Sequence, residues 1–344
     1  MAELSPTTTT DADSDLRARR ALDAAVDRAV LAPSLHNSQP WSFRLHPADR
    51  PRRLDVRADR TRHLTAIDPT GRELVQSCGA ALLNARVALA EHGFATRTCR
   101  LPDAGDPDLL AVVELEDGPP DVALAGLDRV VGRRHTNRRT FAPGVPTRGQ
   151  EDEFRAAAAT EGAELLPVVG AEQHRLLARL TQVADGRQHQ DPAYRAELRR
   201  WTNRPAEARD GIVPAAVPHV DGSARDDLPV RDFDTRGDGA LPVSTGDGAE
   251  PTVVLLSTVD DDEEAWLRAG EALQRVLLEV TRAGFVAGPV TQALEDPRTR
   301  QELRSSLTWD RWPQSVLRIG RAAVTVPTPR RSRQDVLRGG SERP

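Results

Sequence analysis

A long helical segment occurs twice in the chain, and this repeat limits the folds that the chain can adopt. Five residues recur with an offset of 191 positions and no gap: Gly79, Ala81, Leu82, Gly93 and Phe94 match Gly270, Ala272, Leu273, Gly284 and Phe285. Both segments resemble amphipathic helices of about four turns that end in Gly-Phe. The identities could reflect only the general tendency of helices to end in glycine. We favour two related halves, so that one chain imitates a symmetric dimer.

Composition divides the 344 residues into a tail, two halves and an insertion. Residues 1–15 are polar, and we expect them to be disordered. The first half spans residues 16–120 and ends near a Gly-Pro-Pro sequence. The second half spans residues 121–338. Within it, residues 203–250 are rich in Gly, Asp, Pro and Arg, which predicts an irregular insertion or lid, because long structureless loops often cover binding sites.

Helices and short strands alternate in both halves, which predicts an α+β fold. The predicted helices are Leu16–Leu31, Glu73–His92, Val122–Gly132, Glu151–Gly162, His174–Arg187 and Ala193–Trp201. The predicted strands are Ser42–Leu45, Leu54–Val56, Thr96–Leu101, Leu109–Leu115, Glu164–Val169 and Thr252–Leu256. The acidic run Asp260–Glu264 is interpreted as a helix start rather than a metal site, because carboxylates favour the positive end of a helix dipole.

Charge and cysteine content make several functional classes improbable. The net charge of -5 provides no general attraction to nucleic acid, and two cysteines cannot form a disulfide framework or a multi-thiolate metal site. No apolar run reaches the roughly 18 residues of a membrane span, and the polar N-terminus lacks a secretory leader. We therefore expect a cytoplasmic protein with no membrane, nucleic-acid or metal partner.

Three segments could carry chemistry. The loop 32–41, APSLHNSQPW, holds hydroxyl, amide and imidazole groups between two prolines, a donor and acceptor set that suits the edge of a planar heterocycle. The segment 133–139 has four arginines that could clamp a phosphate, and 327–333 is a second Arg-rich stretch. The alternative interpretations are a helix-to-strand connector for 32–41, a solvated basic face for 133–139 and a frayed basic tail for 327–333.

The sequence APSLHNSQPWSF resembles a motif of the nitroreductase superfamily, and RRHTNRRTF resembles its Arg-rich opening motif. The segment from Gly270 to Pro289 and the run WPQSVLRIG resemble its C-terminal half. With PTPRRSRQDVL near its end, the chain most resembles the Acg family of FMN-binding oxidoreductases. The resemblance implies a nitroreductase-like three-layer fold, with FMN between the two halves.

The resemblance also implies which residues bind FMN. These are Pro33, Ser34, Leu35, Asn37, Gln39, Arg134, Thr136, Arg138, Pro289, Val290, Thr291, Arg330 and Arg331. The residues from the first loop would contact the flavin ring, and those at 289–291 would lie beside flavin N5. Arg330 and Arg331 would contact the phosphate. Leu35 stands where relatives often carry a small polar residue, so one contact would come from the backbone there.

The implied activity is hydride transfer from NAD(P)H through FMN to a nitroaromatic, quinone or similar small acceptor. No acid or base residue is assigned: His36 is close enough in sequence to donate a proton, although a role in fixing the loop is the favoured interpretation. Two other hypotheses remain open, an FMN-sequestering protein with little or no turnover and a module that binds nucleic acid or protein through its arginines. The expected state is a monomer that imitates a homodimer.

Overall fold

The computed structural model describes residues 7–202, 204–205, 207–217, 228–229, 231, 233, 235, 249–322 and 326–339. The strands in this part of the chain are β1 (Trp41–His46), β2 (Arg53–Ala58), β3 (Ala95–Arg100), β4 (Leu109–Glu116), β5 (Glu164–Pro167), β6 (Thr252–Thr258), β7 (Val286–Val290) and β8 (Trp312–Gly320). The longer helices are α1 (Thr7–Ala29), α2 (Arg72–Glu91), α5 (Arg148–Thr160), α6 (Gly170–Gln190), α7 (Pro192–Thr202), α8 (Glu263–Arg282) and α10 (Pro297–Leu303). The short helices are α3 (Val122–Ala125), α4 (Asp128–Val131), α9 (Gln292–Glu295) and α11 (Arg333–Val336).

The strands form two antiparallel sheets with the same internal order. The first sheet has the order β1-β2-β4-β3, and the second has the order β5-β6-β8-β7. Both sheets carry an irregularity between their two central strands, at Val56/Arg57 in the first and at Leu256/Ser257 in the second. In each half one long helix, α2 or α8, connects the second strand to the third. This matching topology is what two related halves would show, and their common origin stays a prediction.

Helices α2 and α8 pack together between the two sheets, so the molecule has a sheet–helix–sheet arrangement. Gly79 and Gly270 make this close approach possible. A Cβ atom on Gly79 would lie 2.1 Å from the backbone oxygen of Leu267, and one on Gly270 would lie 2.0 Å from that of Gln76. The two contacts are reciprocal, because Leu267 lies 191 residues after Gln76 and Gly270 lies 191 residues after Gly79. Such reciprocity is the signature of a two-fold interface.

A buried ion-pair network joins the halves beside this crossing. The carboxylate of Glu271 on α8 is fully buried. It accepts hydrogen bonds from Arg86 of α2 at 2.6 Å and from Arg100 at the end of β3 at 2.7 Å. Because a buried charge is costly unless it is paired, the two arginines offset the cost of burying this carboxylate.

The α+β prediction is confirmed, and most predicted strands agree with the structure within two residues. The first helix differs, since it begins at Thr7 rather than at Leu16. Residues 7–15 are therefore helical, whereas the sequence predicted disorder for 1–15; residues 1–6 lie outside the described part. Ser14 and Asp15 hydrogen-bond to Arg52 at 3.0 and 3.1 Å, so tertiary contacts stabilise a turn that lacks an apolar face.

The predicted helix Val122–Gly132 is divided into α3 and α4 at Gly126, a residue of low helix propensity. Among the described helices, none combines the length and the apolar character needed to cross a lipid bilayer.

Candidate functional site

The loop between α1 and β1 has an unusual backbone. His36, Asn37 and Gln39 have positive φ angles of 47°, 56° and 52°, a left-handed conformation that is uncommon outside glycine. The hydroxyl oxygen of Ser34 accepts a hydrogen bond from the backbone N–H of Gln39 at 2.9 Å, which closes the loop on itself. Strain of this kind persists where the surroundings determine it, and it is concentrated at functional sites.

The Arg-rich segment is attached to the second sheet. Thr136 pairs with Ala287 of β7 in a parallel bridge, and the backbone N–H of Asn137 donates to the oxygen of Ala287 at 2.9 Å. A Cβ atom on Gly288 would lie 2.2 Å from the oxygen of Asn137, so only glycine permits this approach. The pairing brings the segment 134–138 next to the end of β7.

The C-terminal segment lies against the first loop and is not a frayed tail. Leu337 forms a parallel bridge with Phe43 of β1, and the side chain of Val336 is fully buried. Arg330 donates to the side-chain oxygen of Asn37 at 2.8 Å. These contacts place an arginine that is distant in sequence beside the first loop.

These segments meet around one cavity. Eight of the predicted residues line it: Pro33, Ser34, Leu35, Thr136, Arg138, Pro289, Val290 and Thr291. Helix α2 contributes Glu73, Gln76, Ser77 and Ala80 to its wall, and β8 contributes Gln314, Ser315 and Arg318. The cavity is therefore shared between the first half and the second.

Three arginines form a cationic cluster beside this cavity. Arg134 is buried, and Arg138 and Arg330 are half-buried. Among the described residues, none of the three pairs with a carboxylate, and each has a buried guanidinium nitrogen without a hydrogen-bond partner. Burial, followed by the charges of Arg330 and Arg138, lowers the pKa of Arg134 to about 9. Burial and a neighbouring arginine lower the pKa values of Arg138 and Arg330 to about 10. All three stay positive at neutral pH, and no carboxylate within the described ranges balances their charge.

The remaining predicted residues have other partners. The amide nitrogen of Asn37 donates to the backbone oxygens of Gly211 and Pro329, at 2.9 and 3.0 Å. The side-chain oxygen of Gln39 accepts from the backbone N–H of Arg331 at 2.8 Å. These two side chains tie the C-terminal segment and the insertion to the first loop. The guanidinium of Arg331 donates to the backbone oxygens of Gln39 and Asp335 and points away from the cationic cluster.

A series of buried hydrogen bonds links three side chains at the wall of the cavity, beside the first loop. Arg231, in the insertion, donates to Nε2 of His36 at 2.6 Å and to both carboxylate oxygens of Glu295 at 2.7 Å. Burial, with the charges of Arg231 and Arg138, holds the pKa of His36 well below 6.5. Burial lowers the pKa of Arg231, but Glu295, Tyr194 and Glu73 together outweigh burial, so this pKa is raised overall. The imidazole of His36 is therefore neutral, and it lies beside the permanently charged guanidinium of Arg231.

The insertion contributes Pro229, Arg231 and Phe233 to the cavity lining. The phenyl ring of Phe233 meets the imidazole of His36 edge-on, with ring centroids 6.0 Å apart. Three residues of the predicted lid 203–250 thus line the cavity, and residues 203, 206, 218–227, 230, 232, 234 and 236–248 of it lie outside the described part.

A titratable carboxyl group also lines the cavity. Burial raises the pKa of Glu73 to about 8, and the nearby acids Glu295 and Asp68 contribute, although Arg72 opposes the shift. Arg72 donates to one oxygen of Glu73 at 3.0 Å. Because the pKa lies above 7, Glu73 is mainly protonated at neutral pH and can act as a hydrogen-bond donor.

Sequence comparison extends over nearly the whole chain. The Mycobacterium tuberculosis (strain ATCC 25618 / H37Rv) protein named "Putative NAD(P)H nitroreductase Rv3131" is 36% identical over 319 residues, which are 90% of this chain and 88% of that protein. The chain belongs to the nitroreductase family. A second protein of that strain, "Putative NAD(P)H nitroreductase acg", is 29% identical over 327 residues, or 92% of this chain and 93% of the relative. The predicted resemblance to the nitroreductase superfamily and its Acg family is confirmed.

One solved structure described as a nitroreductase, from Anabaena variabilis, covers 93% of this chain and 90% of its own, with 10% identity and a TM-score of 0.48. No family model matches the chain.

Sequence reasoning missed several residues of this nitroreductase-family site. Glu73 was interpreted only as the start of an apolar helix, and Arg231 and Phe233 lie in an insertion whose composition predicts no fixed position. The only signal in the sequence is that Phe233 is an aromatic residue within a polar, Gly-rich stretch. Within the described ranges, no group of three or more His, Cys, Asp or Glu side chains is arranged to hold a metal ion.

Proposed function

We propose that the protein is an FMN-dependent oxidoreductase of the nitroreductase type, which uses NAD(P)H to reduce a nitroaromatic, quinone or similar small acceptor. The observation that carries the proposal is the cluster of Arg134, Arg138 and Arg330: each has one buried guanidinium nitrogen without a partner among the described residues, and Arg138 lines a cavity made by both halves. Family membership and the names of the relatives support the same activity.

The arginine cluster fits the phosphate of FMN. A phosphate has three acceptor oxygens and a charge near -2, and guanidinium groups bind such oxygens in pairs. The buried nitrogens of Arg134 and Arg330 would gain the hydrogen bonds that they lack among the described residues. Bringing a dianion to the cluster would also relieve the repulsion that lowers the pKa values of these arginines.

The cavity wall fits a planar ring. The loop 33–35 would contact one edge of the ring through backbone groups, since Leu35 offers no polar side chain. Pro289 and Val290, which also line the cavity, would supply an apolar surface, and Thr291 would supply a hydroxyl near the predicted position of N5. FMN, when bound, would supply hydride transfer between NAD(P)H and the acceptor. The protein's residues would orient the ring, exclude water and balance the phosphate charge.

An alternative is a protein that holds FMN with little or no turnover. The observation that favours it is that Pro229, Arg231 and Phe233 of the insertion line the cavity and take up space that a nicotinamide or an acceptor would need. Under either function we propose that the chain acts as a cytoplasmic monomer, because both contributors to the site lie on one polypeptide.

The cluster is tested by comparing FMN with riboflavin, which lacks the phosphate. We expect the purified full-length protein to bind FMN at least about 100-fold more tightly than riboflavin, because two charged hydrogen bonds contribute roughly 3–6 kcal/mol. In the double variant Arg134→Ala, Arg330→Ala this preference should disappear. Equal affinity of the unmodified protein for both flavins would contradict the proposal.

Turnover is tested separately on the FMN-loaded protein. Anaerobic addition of NADPH or NADH should bleach the flavin absorbance, and a nitroarene or quinone should restore it. If the flavin remains yellow with both nicotinamides while FMN binding is intact, the sequestering alternative is correct.

A further inference from the structure

We propose that His36 determines which electron acceptors bind, by presenting an N–H donor at Nδ1 to an oxygen of the acceptor, and that Arg231 and Glu295 hold it in this form. His36 is a specificity-determining residue in this proposal, and Arg231 is a positioning residue that acts through it. The inference rests on the proposed function only for the identity of the ligand. The protonation form of His36 follows from the contacts of the chain itself.

The contact with Arg231 fixes the tautomer of His36. A guanidinium has five N–H donors and no acceptor. The 2.6 Å contact between Nη1 of Arg231 and Nε2 of His36 is therefore a hydrogen bond only if Nε2 carries a lone pair. The single proton of the neutral imidazole must then be on Nδ1. Protonation of both nitrogens would place two cations 2.6 Å apart in a buried site.

The donor at Nδ1 has no partner in the described part of the chain. His36 is 5% exposed, and its Nδ1 atom is buried without a hydrogen bond. Buried donors are nearly always satisfied in folded proteins, so an orphaned one needs an explanation. Because the His36 residue lines the cavity, a ligand there can supply the missing acceptor.

Arg231 is itself held from several sides. Glu295 accepts two hydrogen bonds from it, the hydroxyl oxygen of Thr291 accepts a third at 3.3 Å, and the ring of Tyr194 lies 5.8 Å from its guanidinium carbon. Glu295 is fixed in turn by the amide of Gln188 at 2.7 Å. The guanidinium therefore cannot turn away from His36 without leaving a buried carboxylate unpaired.

This arrangement selects for an acceptor oxygen. A nitro or quinone oxygen can accept from Nδ1–H, whereas an aryl amine offers N–H groups that cannot satisfy it. Thr291, which Arg231 also contacts, lies at the predicted position of flavin N5. Arg231 thus contacts both His36 and a residue that the resemblance places beside flavin N5.

The tautomer can be read directly by NMR of the full-length protein labelled with ¹⁵N-histidine, before any flavin is added. We expect His36 to show a protonated Nδ1 and an unprotonated Nε2 throughout pH 5.5 to 8, with its signals assigned by their loss in His36→Asn. The double variant Arg231→Met, Glu295→Gln removes both charges of the ion pair, so no unpaired charge stays buried. In this variant we expect a mixture of tautomers. A protonated Nε2 in the unmodified protein, or an unchanged tautomer in the double variant, would overturn the proposal.

The donation to ligand is tested with nitrobenzene and with isopropylbenzene, which has a similar shape but no acceptor oxygen. The two variants compared are His36→Asn, whose amide nitrogen is as many bonds from Cα as Nδ1, and His36→Gln, whose amide nitrogen corresponds to Nε2. Asparagine also tolerates the left-handed backbone at this position. The measured quantity is the ratio of the affinities of the FMN-loaded protein for nitrobenzene and for isopropylbenzene. This ratio should fall about 5- to 10-fold in His36→Gln and change less than about twofold in His36→Asn.

The outcomes separate this inference from the proposed function. A preference that is unchanged in His36→Gln overturns the donation, and so does an effect of that variant on FMN affinity alone, which would make the flavin the acceptor. Failure of the unmodified protein to bind FMN would contradict the proposed function, while the NMR result would still decide the tautomer. If His36→Gln does not fold, the Nδ1–H signal of His36 in the FMN-loaded unmodified protein decides the donation: it should shift on addition of nitrobenzene and not of isopropylbenzene, and equal responses to both would overturn it.

Discussion

Gly79 and Gly270 lie against each other's helices at the crossing of α2 and α8, each in contact with the backbone three residues before the other. The Cα of Gly270 lies 3.1 Å from the position that a Cβ on Gly79 would take. Because the neighbouring atoms belong to the backbone and cannot turn aside, the spacing of the two helices depends on the absence of both side chains.

Replacing either glycine by alanine should therefore destabilise the protein. We expect Gly79→Ala or Gly270→Ala to lower the free energy of unfolding by about 3 kcal/mol or more, at the upper end of overpacking effects. The measurement is urea-induced unfolding. Gly186→Ala in α6 is the matched control, since nothing lies within 4 Å of its Cβ position, and it should stabilise by about 0.5–1 kcal/mol. Similar destabilisation in all three variants would contradict the close contact at the crossing.

Arg134 should reduce the stability of the protein in the absence of an anionic ligand. It is 4% exposed, and within the described part of the chain its side chain makes one hydrogen bond, a 3.3 Å contact with the backbone oxygen of Leu31. Because a buried charge without a partner carries an uncompensated desolvation cost, replacing it with an apolar side chain should stabilise by about 1–3 kcal/mol. We expect Arg134→Met to raise the free energy of unfolding of the flavin-free protein by an amount in this range, while weakening FMN binding. The exposed Arg129→Met should change neither quantity, and a loss of stability in Arg134→Met would show that the charge is already balanced.

Glu73 should make stability depend on pH. Its pKa of about 8 in the folded protein lies above the ordinary 4.5, so between these values the folded state binds more protons than the unfolded state. The contribution of Glu73 to stability is complete below pH 4.5 and is lost as the pH rises through 8. The variant Glu73→Gln cannot ionise. We expect its stability relative to the unmodified protein to rise between pH 5 and pH 8, by at most about 1.4 kcal/mol per pH unit.

This dependence is measured by urea unfolding at each pH. Glu91→Gln, an exposed position at the other end of α2, should show no such trend. Parallel curves for Glu73→Gln and the unmodified protein would indicate that Glu73 is ionised in the folded state.

Glu271 should be essential to the interface between the halves. Removing its charge leaves Arg86 and Arg100 with one fewer buried partner, and breaking a buried ion pair typically costs 3–5 kcal/mol. We expect Glu271→Gln to lower the free energy of unfolding by about 3 kcal/mol. Glu264→Gln, at an exposed i,i+4 pair on the same helix, should change it by no more than about 0.5 kcal/mol. Equal effects would mean that the buried network contributes no more than a surface pair.

Local patterns predicted much of the fold and part of the site. The apolar period of α2 and its Gly-Phe ending predicted that helix within one residue at each end, because periodicity and glycine caps are local signals. The resemblance predicted that the first loop and the arginines near 134 and 330 would meet, and the structure brings them together.

The hydrogen bonds that link His36, Arg231 and Glu295 could not be predicted in the same way. Arg231 and His36 are 195 residues apart, and Glu295 is 64 residues further along the chain from Arg231. Their contact depends on how the insertion packs, and composition carries no information about a partner at that distance. The backbone partners of Asn37 and Gln39 could not be predicted for a similar reason, since they belong to segments that approach only in the folded protein.

The cavity between the halves has a consequence for how the protein retains its ligand. Where two separate subunits share a site, dilution pulls the subunits apart and releases what they hold. Here the loop at 33–39 and the arginine cluster are covalently tethered, so each meets the other at an effective concentration set by the chain and not by the amount of protein in the cell. Ligand retention should therefore be the same in a scarce protein as in an abundant one.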